Sequence, residues 1–157
     1  MSILTSHAGR WVGTNGFRLR PDEDFFEAPA TAEVTTGAGG HLARVAYTWS
    51  LPDEGPFDGM LVLGRGPEDG EAVAIFADAW HQQPASLVMR GTVADAVWSV
   101  EAAYLGDWRW RIVVDATDDD LLRIRMENVV PPGGYEGAPE GPYSAMVSEL
   151  RRADVSP

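Results

Sequence analysis

The chain contains no cysteine, which excludes disulfides, thiolate nucleophiles and sulfur-ligated zinc or iron–sulfur sites. It has no apolar run approaching the roughly 18 residues of a membrane span. Residues 1–10 hold no apolar core of the kind that drives secretion. A soluble, cytoplasmic protein is the expectation. Basic residues are scarce: 12 Lys and Arg stand against 24 Asp and Glu, for a net charge of -12. Such a surface repels phosphate backbones and anionic headgroups, so neither nucleic acid nor membrane is an expected partner. The densest basic cluster, Arg109, Arg111, Arg123 and Arg125, alternates with apolar residues and reads as a solvated sheet face.

Catalytic signatures are absent as well. The three histidines, His7, His41 and His81, show neither His-x-His nor His-x-x-x-His spacing, so no metal site is expected. No Gly-x-Ser-x-Gly elbow occurs, and the glycine-rich runs lie between strand-like segments rather than ahead of a helix. Serine-nucleophile and nucleotide-dependent chemistry are therefore set aside.

What remains is strand. At 157 residues, 45% apolar and 23% charged, the chain fits one globular domain over residues 1–157 and is large enough to bury a sizeable core. No segment keeps a helical apolar stripe for three turns. Period-two alternation instead marks about ten strands, near 9–20, 28–38, 41–52, 56–66, 71–80, 85–94, 96–105, 107–117, 120–130 and 143–152. Turn-compatible residues separate them, among them Gly37-Ala38-Gly39-Gly40, Pro67-Glu68-Asp69-Gly70, Gly106-Asp107 and Asp118-Asp119-Asp120. Short sequential strands with tight connections describe an all-β up-and-down antiparallel meander. Closing it into a barrel of about ten strands removes the exposed edges; an open sandwich is the alternative. The segment 20–29 reads as a loop or one helical turn over one barrel end, and 131–142 as a long mouth loop, either a lid or disordered.

The alternation assigns faces. His41, Ala43, Val45, Tyr47, Trp49 and Leu51 share an inward phase, as do Trp98, Val100, Ala102 and Tyr104, then Trp108, Trp110, Ile112 and Val114, then Leu122, Ile124, Met126 and Asn128. The first strand turns in Trp11, Asn15, Phe17 and Leu19. The fifth is ambiguous between Phe76, Asp78, Trp80 and Val73, Ile75, Ala77, His81; burial of the larger rings favours the first set. The interior is thus rich in aromatic rings, which either fill the barrel or line a cavity. A ten-strand barrel is wide enough for a cavity.

Gly9-Arg10-Trp11-Val12-Gly13 at the head of the first strand resembles the Gly-x-Trp pattern that opens the calycins, the superfamily of lipocalins and fatty-acid-binding proteins. The strand count is similar to the fatty-acid-binding branch and to nitrobindin, and Asp78-Ala79-Trp80-His81 followed by Gly91 resembles bacterial lipocalin-like proteins of unknown function. The resemblance implies a lipocalin-like barrel with Trp11 across its floor and a late basic residue, Arg151 or Arg152, stacked on it. Nitrobindin would further imply a haem held by a late histidine. No histidine follows His81, and Met126 and Met146 read as packing, so no cofactor is expected.

Two functions share this cavity. The first is binding of a small hydrophobic or aromatic molecule, lined by Asn15, Tyr47, Trp49, Phe76, Trp80, Trp98, Tyr104, Trp110, Met126 and Asn128. The second is an enzyme catalysing cyclisation, isomerisation or elimination, with Asp78 and His81 as proton-transfer groups. Asp78 between Phe76 and Trp80 would be a desolvated carboxyl of raised pKa, or else a group paired with an arginine or solvated at a strand end. His81 is placed at the barrel rim. A barrel simply filled by its side chains is the third possibility. Oligomeric state is left open.

Overall fold

A computed structural model describes residues 4–134, 136–137 and 139–153. Ten antiparallel strands close on themselves: β1 (Gly9–Phe17), β2 (Phe26–Gly37), β3 (Leu42–Leu51), β4 (Glu54–Arg65), β5 (Glu71–Asp78), β6 (Gln82–Ala94), β7 (Val97–Leu105), β8 (Trp108–Asp118), β9 (Leu121–Val130) and β10 (Gly141–Arg152). Each strand pairs with its neighbours in sequence, and β10 returns to pair with β1. The meander is therefore a barrel, and the open sandwich is excluded.

Alternation places the core as expected. Trp11, Val45, Trp49, Leu61, Leu63, Met89, Val100, Ile112, Leu122 and Leu150 lose essentially all solvent contact. Phe76 and Asp78 point in while Ile75 points out, which resolves the phase of β5. On the outer wall, Arg109 and Arg111 bond Glu101, Arg111 and Arg125 reach Glu127, and Arg123 bridges Asp115 and Glu149. The basic cluster is thus laced with acids on the outer face. Among the described residues no helix is long and apolar enough to cross a membrane.

The two ends of the barrel differ. At the end where β1 begins, a 3-10 turn at Thr5–His7 folds under the strands and buries Leu4 and His7. His7 stacks on Trp11 with ring centroids 5.2 Å apart, and the Trp11 indole donates to the His7 carbonyl at 2.9 Å. From the last strand, Arg152 sets its guanidinium carbon 4.7 Å above the Trp11 ring. The same guanidinium donates to the Ser6, Ala8 and Asp119 carbonyls. Of the two late arginines, Arg152 makes the stack. These contacts clasp the first strand, the last strand and the β8–β9 turn, and this end is closed.

The opposite end is a mouth, where elements depart from simple alternation. β1 stops at Phe17 rather than running to 20, because Arg18 turns the chain. Its guanidinium donates to the Ser144, Pro21 and Glu23 carbonyls and lies 4.4 Å over the Phe25 ring. Leu19 is accordingly exposed, and residues 18–25 form a loop rather than a helical turn. β6 starts at Gln82, three residues early, because the turn after Asp78 is tight enough for Gln82 to pair with Asp78. In the long 131–142 connection, residues 135 and 138 lie outside the described residues, and β10 begins at Gly141.

Closure depends on a close approach across the β1–β10 seam. A Cβ on Gly13 would overlap the Glu149 carbonyl oxygen. Gly13→Ala should therefore cost about 1–3 kcal/mol, the range for overpacking a tight contact, and lower Tm by several degrees in a thermal melt followed by circular dichroism. An unchanged Tm would mean that the seam is looser than described.

Candidate functional site

The floor of the mouth is built around one carboxylate. Tyr47, Gly59 and Asp78 stand side by side on β3, β4 and β5. Gly59 is the low point of that row: a Cβ there would overlap the Tyr47 hydroxyl. Without one, the Tyr47 hydroxyl crosses the strand and donates to Asp78 Oδ2 at 2.6 Å. The Trp49 indole donates to the same oxygen at 3.1 Å. The other oxygen, Oδ1, accepts the backbone N–H groups of Trp80 and His81, each at 2.9 Å. Asp78 is 3% exposed, and a polar group so buried needs its lone pairs filled in this way. Burial, reinforced by the Asp78 charge, pushes the Tyr47 hydroxyl well above its usual range, so it remains a donor.

The turn fixed by Asp78 delivers His81 into an aromatic box. Its ring stacks on Trp49 at 4.7 Å and 17°, meets Trp80 edge-on at 4.8 Å, and lies 5.1 Å from Trp110 and 5.8 Å from Phe17. Nε2 is 2.9 Å from the Met146 sulfur. A thioether only accepts, so Nε2 carries the proton and Nδ1 is left with its lone pair. Desolvation by these rings lowers the His81 pKa to about 4, against a smaller upward pull from Asp78. The rim histidine expected from sequence is instead turned inward and held neutral.

Above this floor opens a cavity of about 240 Å³. Phe17, Phe76, Trp80, Trp110 and Ala145 supply its apolar wall, and His81, Gln82, Tyr104, Asn128 and Tyr143 its polar groups, with Arg18 and Leu19 at the edge. The polar groups are chained: Tyr104 donates to Asn128 Oδ1 at 2.9 Å, Asn128 Nδ2 to the Tyr143 oxygen at 3.2 Å, and Tyr143 to the Leu19 carbonyl at 2.6 Å. Partial burial raises the Tyr104 hydroxyl above its usual pKa, with Asn128 pulling slightly the other way. Two larger hollows, each about 340 Å³, lie at the closed end beside Trp98 and along β1–β4. Neither gathers aromatic walls around an ordered polar chain as the mouth does.

A family model matches residues 2–144, most of the chain. The chain belongs to DUF1579, a family of proteins of unknown function. No curated protein matches it.

Within this DUF1579 barrel, the residues expected to line one cavity divide into groups. Phe76, Trp80, Tyr104, Trp110 and Asn128 meet around the mouth. Tyr47 and Trp49 sit behind it, bound to Asp78. Asn15 accepts from Ser148 at 2.7 Å on the β1–β10 seam, and Met126 packs in the core. Trp98 faces inward at the closed end. Of the two proton-transfer candidates, His81 fronts the cavity, whereas Asp78 does not line it and, among the described residues, pairs with no arginine. Phe17, Gln82 and Tyr143 join the site without having been singled out for it. Antiparallel register alone would have found Tyr143, which faces Asn128 across β9–β10 just as Trp110 faces Asn128 across β8–β9.

The haem of the nitrobindin resemblance does not fit these residues. A 240 Å³ cavity is below the roughly 300 Å³ at which pockets for drug-sized molecules begin, and a porphyrin is larger still. The late histidine that the resemblance calls for is missing, since none follows His81, and the thioether of Met146 is already taken by His81 Nε2.

Two predictions follow from the floor. His81 titrates near 4 when folded and near 6.5 when unfolded. Between those values the unfolded chain binds a proton that the native state refuses, so stability rises with pH from about 4 and levels off above about 6.5. Urea unfolding should show a loss from this group of about 2 kcal/mol between pH 7 and pH 5. The loss should vanish in His81→Phe; an identical pH slope in the variant would contradict the burial of the ring. Asp78→Asn puts an amide N–H where donors now converge. It should cost roughly 3 kcal/mol at pH 7, the sum of a lost charged acceptor and a stranded donor, read by the same unfolding experiment. A near-neutral effect would remove Asp78 from its role as the keystone of the floor.

Proposed function

We propose that this protein binds a small, uncharged aromatic molecule in the mouth cavity, and that the barrel is of the lipocalin-like, calycin kind. The observation that carries the proposal is the cavity itself. It is open to solvent, walled by Phe17, Phe76, Trp80 and Trp110, and bordered on one side by the Tyr104–Asn128–Tyr143 chain. Apolar walls with a few fixed polar groups are the general form of a small-molecule site. Stacking and edge contacts with the rings give affinity, and the polar chain gives orientation. The modest volume, about 240 Å³, selects a ligand of one or two fused rings rather than a fatty acid. Kinship with the calycins is supported by the closed ten-strand meander and by the Arg152–Trp11 stack that closes its far end.

The same geometry argues against proton-transfer catalysis. A general base works best with a pKa near the working pH, and His81 is depressed to about 4. Asp78 spends both oxygens on four donors.

Titration calorimetry with 2-naphthol as the probe tests the proposal. The wild-type protein should bind one equivalent. Trp80→Ala should weaken binding at least tenfold, equivalent to about 1.4 kcal/mol. Trp98→Ala, at the closed end, should leave affinity unchanged. Equal losses in the two variants, or no binding by the wild type, would overturn the assignment of the site.

A further inference from the structure

The hydrogen-bond chain beside the cavity has a direction, and that direction specifies the ligand. It is anchored at the Leu19 carbonyl, which only accepts, so the Tyr143 hydroxyl must spend its hydrogen there. Tyr143 oxygen can then take part in its bond with Asn128 only as acceptor, which puts the Asn128 amide nitrogen toward Tyr143 and its oxygen toward Tyr104. Asn128 Oδ1 is in turn an acceptor, so the Tyr104 hydroxyl donates to it. Each step follows from the one before, and the chain ends with a Tyr104 oxygen whose hydrogen is spent and whose lone pairs remain. Tyr104 lines the cavity and is 43% exposed.

Two other lining groups, His81 and Gln82, also keep an acceptor. His81 commits its Nε2 hydrogen to Met146 and keeps a lone pair on Nδ1. Gln82 donates from its amide nitrogen to the Ala85 carbonyl at 2.6 Å. The Trp110 indole N–H points the other way: it has no hydrogen-bond partner among the described residues. A ligand hydroxyl suits such a wall, because it donates to a lone pair while its own oxygen can accept. A carboxylate offers no hydrogen to Tyr104 and approaches a protein of net charge -12, and the one cation at the cavity edge among the described lining residues, Arg18, already donates to three carbonyls.

We infer that the ligand is a neutral aromatic hydroxyl compound, a phenol or naphthol, that donates its hydrogen to the Tyr104 oxygen. The inference rests on the binding function proposed for the mouth cavity and adds the class of ligand.

A matched series at pH 7 separates the two: 2-naphthol, 2-methoxynaphthalene, 2-methylnaphthalene and 2-naphthoate, each titrated against wild type and Tyr104→Phe. The expected result is that 2-naphthol binds about tenfold tighter than the methoxy and methyl analogues, the value of one well-made hydrogen bond, and that 2-naphthoate binds weakest. In Tyr104→Phe the advantage of 2-naphthol should fall to within about twofold, with the methyl analogue unaffected. If the three neutral compounds bind wild type equally, or 2-naphthoate binds best, or the advantage survives in Tyr104→Phe, the hydroxyl inference is wrong while the cavity remains a binding site. If none of the four binds, the binding function itself fails.

Discussion

A single buried carboxylate organises the open half of this barrel. Asp78 ends β5 and holds a phenol from β3, an indole from β3 and two amides of the turn that follows it. A carboxylate can be kept out of water only when its lone pairs are filled, so the four donors and the acid require one another. Gly59 makes the arrangement sterically possible by leaving the strand between Tyr47 and Asp78 without a side chain. The consequence reaches beyond the floor: the orientation of the Trp80–His81 turn, and so the aromatic wall of the cavity, is set by where the two oxygens of Asp78 point.

The barrel divides its labour between its ends. At one, His7 from the opening turn and Arg152 from the last strand both pack on the Trp11 indole of the first strand and seal the closure. At the other, the first hairpin loop is tied down by Arg18 rather than drawn across the opening. Between the ends, the fully buried Met89, Ile112, Met126 and Met146 fill the interior. The middle of the barrel, which a ten-strand count could leave open, is thereby filled, and the hollows that remain lie toward its two ends. The interior aromatic residues consequently serve three purposes: Trp11 and Trp98 belong to the closed end, Trp49 to the floor, and Trp80 and Trp110 to the site.

The strands and their faces were legible in the sequence because alternation is local. A residue's phase within its own strand determines whether it points in, and Trp49, Phe76, Trp98 and Trp110 all do. Depth along the barrel axis was not legible, because it depends on register and strand tilt between neighbours. That is why Trp98 and Trp110, on adjacent strands and of the same phase, lie at opposite ends. The carboxylate between rings was recognisable in Phe76-Ala77-Asp78-Ala79-Trp80. Its four donors were not, since Tyr47 reaches it only across the gap at Gly59 and the other three depend on strand register and on the turn after Asp78. His81 was misjudged for a similar reason: its side-chain direction is set by the turn, and alternation gives no information there.

The barrel interior is packed through its middle, and the hollow walled by aromatic rings opens at the end opposite the Trp11 clasp. Resolving the six indole N–H signals in a proton–nitrogen correlation spectrum, during titration with 2-naphthol, tests it most directly. The Trp80 and Trp110 signals should move with ligand while those of Trp11 and Trp98 stay in place. Movement of Trp11 or Trp98 with Trp80 and Trp110 unchanged would place the ligand at the closed end and contradict it.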